Sequence, residues 1–175
     1  NREQLIDLLR DGKIDIAIMG LVPKEIDTKI YVIANHPHVF VAGANHSLSK
    51  LKKIDPQSLN DFDLITRESG SGTRAHMELF FQDNDIQPNI IMEMSSNESI
   101  KQAVIADLGI SFVSQHTIAS EIKDGILKIL DVKNTPILRK WHVVTLNPRS
   151  LTRSVELLKD FILSQSQTIL SKLES

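Results

Sequence analysis

The chain has 175 residues, 41% of them hydrophobic and 24% charged, with no cysteine and a formal net charge of -2. A chain of this size and make-up can bury a sizeable core as one domain or two small lobes, which excludes disorder as its main state. Lack of cysteine removes disulfides and thiolate metal sites, no apolar run reaches a membrane span, and the charge argues against a broad nucleic-acid footprint.

Asn1 followed by Gln4 has capping-box-like spacing, and Leu5, Leu8 and Leu9 give the first helix an apolar stripe. Gly12 is placed to end that helix, and Asp15–Met19 reads as a short buried strand closed by Gly20. The opening at Asn1 rather than Met predicts a fragment, and a first helix leading into a buried strand with no earlier strand to pair predicts a strand and helix upstream. No signal peptide is visible in these residues. Residues 30–44 form a long β-rich stretch, with a break expected at Asn35-His36-Pro37-His38. Such an extended path could carry the chain from one lobe to another. Residues 45–61 read as a polar loop.

The most informative stretch is Thr66-Arg67-Glu68-Ser69-Gly70-Ser71-Gly72-Thr73-Arg74, between the apolar run 62–65 and a helix marked by Met77, Phe80 and Phe81. The order is strand, Gly/Ser turn, helix. Two glycines allow close backbone approach to a ligand, Ser71 is placed as N-cap, and Arg74 lies beside the exposed helix amides. A nucleotide P-loop is excluded by spacing and by the missing lysine, and no third glycine completes a dinucleotide fingerprint. The same residues also fit a well-capped turn with no ligand.

A second strand, residues 90–94, runs into Ser95-Ser96-Asn97-Glu98-Ser99, where Ser95 and Glu98 have capping-box spacing. Ile100, Ala103 and Val104 mark a helix that ends at Gly109, followed by the strand 110–113 and Ser114. A short helix over 117–123, a strand over 126–130 and an extended segment 138–146 come next, the last holding Trp141, which reads as core. The last helix places Val155, Leu158, Phe161 and Ile162 on one face; its apolar pattern thins beyond Ser164, with fraying expected near the end. Alternating strands and helices argue for an α/β fold with largely parallel sheets.

Two Ser-rich strand-to-helix turns would gather at the carboxyl ends of their strands, suited to a small carboxylate or phosphate. His36, His38 and His46 lack carboxylate neighbours and helical spacing, so no metal site is assigned. No Gly-x-Ser-x-Gly elbow or paired-carboxylate pattern supports an enzyme, and no cofactor is called for. Asp15, at a strand start, reads as a hydrogen-bonding or turn residue.

Three segments together resemble the LysR-type transcriptional regulators: Leu9-Arg10-Asp11-Gly12-Lys13-Ile14-Asp15-Ile16-Ala17-Ile18; Arg67 to Arg74; and Ser96 to Val104 with Leu108-Gly109-Ile110 and Ser114. The last two look most like the branch that controls carbon-fixation genes. The resemblance covers nearly the whole chain. It implies an α/β, two-lobed, periplasmic-binding-protein-like (type 2) fold with two crossover strands, the N-terminal part of lobe I being absent. Lobe I would hold residues 1–41 and 143–175, and lobe II residues 42–142. It further implies an effector cleft lined by Gly20, Leu21, Ser71, Gly72, Thr73, Arg74, Ser95, Ser96 and Asn97.

By the same resemblance the chain is a cytoplasmic effector-sensing domain that binds a small anionic metabolite. A phosphorylated sugar or related acid is the first class to screen. The domain would self-associate as a dimer or tetramer, with the first helix as a candidate surface. DNA would be bound only by the family's winged helix-turn-helix, which lies outside these residues. The alternative is a periplasmic solute-binding module of the same fold. What precedes Asn1 separates the two readings.

Overall fold

The computed structural model describes residues 1–171. The chain divides into two compact units, one of Asn1–His36 with Arg139–Ser175 and the other of Pro37–Leu138.

The first unit opens with α1 (Arg2–Arg10), capped by a full capping box between Asn1 and Gln4. Its end is a Schellman turn: the Gly12 amide donates to the Leu9 carbonyl at 3.0 Å and the Lys13 amide to that of Leu8 at 2.9 Å. Gly12 sits at φ +66°, which explains the glycine. The buried stripe of α1 is Ile6 and Leu9, while Leu5 and Leu8 are half-buried, so the leucines alone understate the buried face. Leu9 packs with Ala17, Met19 and Val144. Those residues lie on β1 (Ala17–Met19) and β7 (Ile137–Leu146), paired antiparallel with Ala17 opposite Val144. The long strand β2 (Thr28–Gly43) lies beside β7, and α5 (Arg153–Ser171) ends the described chain.

On α5 the expected single face is split. Leu158 and Phe161 are 49% and 59% exposed, whereas Ser166 is buried and donates to the Ile33 carbonyl at 3.0 Å. The helix runs past Ser164, where the apolar pattern thins, to Ser171, and the fraying expected near the end falls at residues outside the described ones. Residues 172–175 lie outside the described residues.

In the second unit, β3 (Asp63–Arg67) lies between β4 (Asn89–Met94) and β5 (Ile110–Ser114), parallel to both. β2 pairs antiparallel with β5 and with β6 (Leu127–Ile129). The links are α2 (Gly72–Asp83), from β3 to β4, and α3 (Asn97–Ile105), from β4 to β5. Strand alternation sorts the core. Phe40, Leu64, Ile110 and Phe112 face Met77, Phe80 and Phe81 of α2. Val39, Val41, Ile65 and Val113 face Ile100, Ala103 and Val104 of α3. The segment read as a polar loop holds two 3-10 turns, Ser47–Lys50 and Pro56–Asp61, and a short helix α4 (Ala119–Lys123) follows β5.

Two expectations need correction. The sheet is mixed rather than largely parallel, because β1–β7, β2–β5 and β2–β6 are all antiparallel, while the helix-linked strands β3, β4 and β5 run parallel. The expected break at residues 35–38 is absent: β2 runs continuously, and Pro37 stands where it passes from the first unit to the second. Among the described residues no helix is long and apolar enough to cross a membrane.

Candidate functional site

Parallel pairing brings the two Ser-rich turns of the second unit to one edge of the sheet. Arg67 is in register with Met94, so β3 and β4 end level and α2 and α3 both begin there. The Glu68 amide extends the ladder to the Met94 carbonyl at 3.1 Å. Arg67 donates to Asn97 Oδ1 at 2.9 Å and grips Glu68 through both carboxylate oxygens, at 2.8 and 3.1 Å, tying one turn to the other. This is the carboxyl-end geometry at which open α/β sheets bind ligands.

The two helix starts differ. Ser71 is the N-cap of α2, as expected, but its side chain makes no capping bond, and the first turn of α2 carries no acidic residue. The leading amides, those of Gly72, Thr73 and Arg74, have no intrahelical partner by the geometry of a helix start. Ser71 itself is buried, and its backbone is held by a bond from its amide to the Glu68 carbonyl at 3.2 Å. At α3 the cap is Ser96, one residue later than the capping-box spacing predicts, and Ser96 accepts from the Ser99 amide at 3.4 Å. Ser95 is exposed instead, and Glu98 pairs with Lys101 and Gln102. The shift arises because β4 runs to Met94 and the turn takes two further residues.

Replacing Ser96 by alanine is therefore expected to cost about 0.5–1 kcal/mol of folding stability, and Ser95→Ala almost nothing. Urea unfolding of the two variants checks this, and the reverse order would move the cap back to Ser95.

The cations at this edge are engaged. Arg74 donates to Glu78 at 2.8 Å, to Glu93 and to the Arg67 carbonyl at 3.3 Å, so it is bound to its own helix and to β4. Its pKa is raised, first by the bond to Glu78, while Glu93 is held below its ordinary value, first by Arg74 and then by the Ser69 amide. A depressed carboxylate contributes its stabilisation above the ordinary value of 4.5 and loses it as pH falls through the lower folded value. The clasp is thus intact at neutral pH. An anion at this edge would meet amides and hydroxyls rather than an unengaged guanidinium. Arg67, Glu68 and Glu93 are missing from the sequence-derived site; a charged residue closing the buried strand β3 is a signal for Arg67 and Glu68, whereas Glu93 lies on a largely exposed strand and carries no such signal.

Of the expected site, Ser71, Gly72, Thr73, Ser95, Ser96 and Asn97 come together at this edge, with Arg74 turned to its carboxylates. Gly20 and Leu21 lie in the first unit, just after β1. There the Leu21 and Val22 carbonyls accept from Arg2 at 3.2 and 3.3 Å, and Arg2 also grips Glu25. Above Gly20 lies His36, whose ring stacks on Trp141 at 3.7 Å and 18°. Trp141, expected in the core, is half-buried and serves as a stacking partner. The other histidines also have structural places: His38 stacks on Phe112, and His46 Nδ1 accepts the Leu48 amide at 3.2 Å. Among the described residues no cluster of three His, Asp or Glu side chains could hold a metal ion. Asp15 pairs with Arg149 at 3.1 Å.

A mixed sheet with helices on its faces, threaded by two long strands that pass between two units, is the architecture of the type 2 periplasmic-binding-like fold. Within that class, residues 1–167 match the LysR substrate binding domain, and the chain belongs to this family, the effector-binding part of LysR-type regulators. It is 41% identical over 172 residues to the HTH-type transcriptional regulator CfxR of Cupriavidus necator, covering 98% of this chain and 54% of that protein. It is 43% identical over 165 residues to CbbR of Sinorhizobium medicae, covering 94% and 53%. The chain thus spans about half the length of the curated relatives it matches. Among solved structures it resembles the Synechocystis CcmR regulatory domain in complex with 2-PG, at 34% identity and TM-score 0.89, over 94% of this chain and 79% of that one. It also resembles the effector binding domain of QuiR in complex with shikimate, at 26% identity and TM-score 0.82, over 93% and 76%.

Proposed function

We propose that this chain senses a small anionic metabolite and that its occupancy controls DNA binding and transcription by the full-length protein in the cytoplasm. The ligand would sit in the cleft that the family resemblance implies between two lobes, with Gly20 and Leu21 on one side. The amides of Gly72, Thr73 and Arg74 and the hydroxyls of Ser71, Thr73, Ser95 and Ser96 would lie on the other, with Asn97. Binding that favours one closure state would shift the arrangement of subunits in a dimer or tetramer, and DNA contact would fall to a winged helix-turn-helix outside these residues.

The observation that carries the reading is the start of α2, which has neither a side-chain cap nor an acidic residue and lies level with a second helix start. Such an end favours negative charge through its amides and dipole. The ligands named for the two similar domains, 2-PG and shikimate, define the first compounds to try. The reading is of binding without covalent chemistry.

Calorimetric titration of 2-PG and of other small phosphorylated or carboxylic acids into the full-length protein is the test. Thr73→Ala should weaken the ligand that binds by about 1.5–3 kcal/mol, roughly ten- to a hundredfold, through loss of one hydrogen bond to a charged group. Unchanged affinity in a folded Thr73→Ala protein would place the site elsewhere.

A further inference from the structure

Beneath the first turn of α2, at the carboxyl edge of the sheet, the apolar core gives way to polar side chains. Thr66 at the end of β3, Ser114 at the end of β5, His38 on β2, and Ser71 and His76 from the start of α2 are each more than nine-tenths buried. Strand parity fixes where Ser114 points. Ile110 and Phe112 belong to the core on the α2 side, so Ser114, two residues further, faces α2 as well. Its partner across the antiparallel ladder is His38, whose ring lies 5.2 Å from that of His76 on α2. The parallel register of β3 with β5 sets Ile65 against Ser111, and continuing it sets Ser114 level with Glu68, where the turn to α2 begins. The hydroxyl of Ser114 is therefore directed under the helix start.

Among the described residues that hydroxyl has no hydrogen-bond partner, although Ser114 is buried. The backbone of Ser114 is engaged, its carbonyl accepting from Thr117 Oγ1 at 2.8 Å, and the side chain does not cap the 3-10 turn that follows. A buried hydroxyl left unmatched destabilises a fold, so it is retained where something else requires it. From these placements we infer that Ser114 is a further ligand-binding residue of the α2 site, its hydroxyl meeting an oxygen of the bound anion from the sheet side while the α2 amides meet it from above. The inference rests on the reading of the α2 start as an anion site and adds a contact from a third strand. It makes β5, as well as β3 and β4, part of the sensing surface.

The experiment measures thermal unfolding without ligand and calorimetric affinity for 2-PG and inorganic phosphate, on the full-length protein and its Ser114→Ala and Thr73→Ala variants. Removing an unmatched hydroxyl should leave the ligand-free melting temperature unchanged or raise it. Affinity for the probe that binds should fall about tenfold, the size of one hydrogen bond to an anion. If Thr73→Ala weakens binding and Ser114→Ala does not, the inference fails and the α2 reading stands. A Ser114→Ala protein that loses ligand-free stability along with affinity shows a structural hydroxyl and also overturns the inference. If the wild-type protein binds neither probe, or neither substitution changes affinity, both readings fall together.

Discussion

Gly109→Ala should be among the most destabilising single-methyl changes in the second unit, costing about 3 kcal/mol. A Cβ at this position would lie 2.6 Å from the carbonyl oxygen of Asp63 and 3.1 Å from its carbonyl carbon. Those are backbone atoms at the start of β3, so no rotamer change relieves the contact. The next residue, Ile110, pairs with Leu64, and Asp63 opens the pairing of β3 with β4. Relief requires β5 to move away from β3 at the lower end of the parallel ladder. Against a typical domain stability of 5–15 kcal/mol this is a large fraction, and about 6–12 °C of melting temperature for a chain of this size. Gly125→Ala is the control. Its φ is +73° but nothing lies within 4 Å of the added Cβ, so only backbone strain of about 1 kcal/mol applies. Urea unfolding of both variants measures the contrast. Equal costs would mean that the approach of Gly109 to Asp63 is not what demands glycine there.

The same parallel ladder marks what the sequence could and could not reveal. The strand–turn–helix order around Ser71 and around Ser96 was legible because short apolar runs, glycines and hydroxyls punctuate it in the order a βαβ crossover requires. α1 was legible to its last turn, since the capping box and Gly12 are local signals that need no tertiary context. Strand direction was not legible for β1, β2 and β7, because apolar alternation is the same for parallel and antiparallel neighbours. The continuity of β2 through Pro37 was hidden for a related reason. Proline removes one donor, and whether that ends a strand depends on which side of the chain the neighbour lies. The cap of α3 slipped by one residue because Ser95 and Ser96 are chemically equal candidates, and the length of β4 chooses between them. The clasp of Arg67, Glu68, Glu93, Arg74 and Asn97 joins residues up to thirty positions apart, and only the register of β3 with β4 brings them together. Stripe arguments failed most clearly at α5, where Phe161 is exposed while a serine supplies the buried anchor.

Gly20→Ala should couple stability and sensing in the first unit. A Cβ here would stand 2.8 Å from His36 Nδ1 and 3.1 Å from Cε1. A side chain can in principle retreat, but His36 is 3% exposed and stacked on Trp141 at 3.7 Å, so its ring has nowhere to go without breaking that stack. Nor can the loop after β1 move outward freely, because Arg2 holds the Leu21 and Val22 carbonyls and is itself held by Glu25. Overpacking of this kind costs about 2 kcal/mol. If Gly20 and Leu21 line the effector site, the displaced loop should also lower affinity by about a hundredfold, since misplacement of a binding loop removes several weak contacts together. A double-mutant cycle isolates the cause. Shortening His36 to alanine is destabilising by itself, through loss of the stack, yet it opens the space that the new methyl needs. The Gly20→Ala cost should therefore shrink by about 1 kcal/mol or more when measured in the His36→Ala background. Four urea unfolding curves give the coupling directly. A Gly20→Ala cost that is the same in both backgrounds would show that His36 does not set the glycine requirement, and the loop's position would then have to be fixed from the Arg2 side.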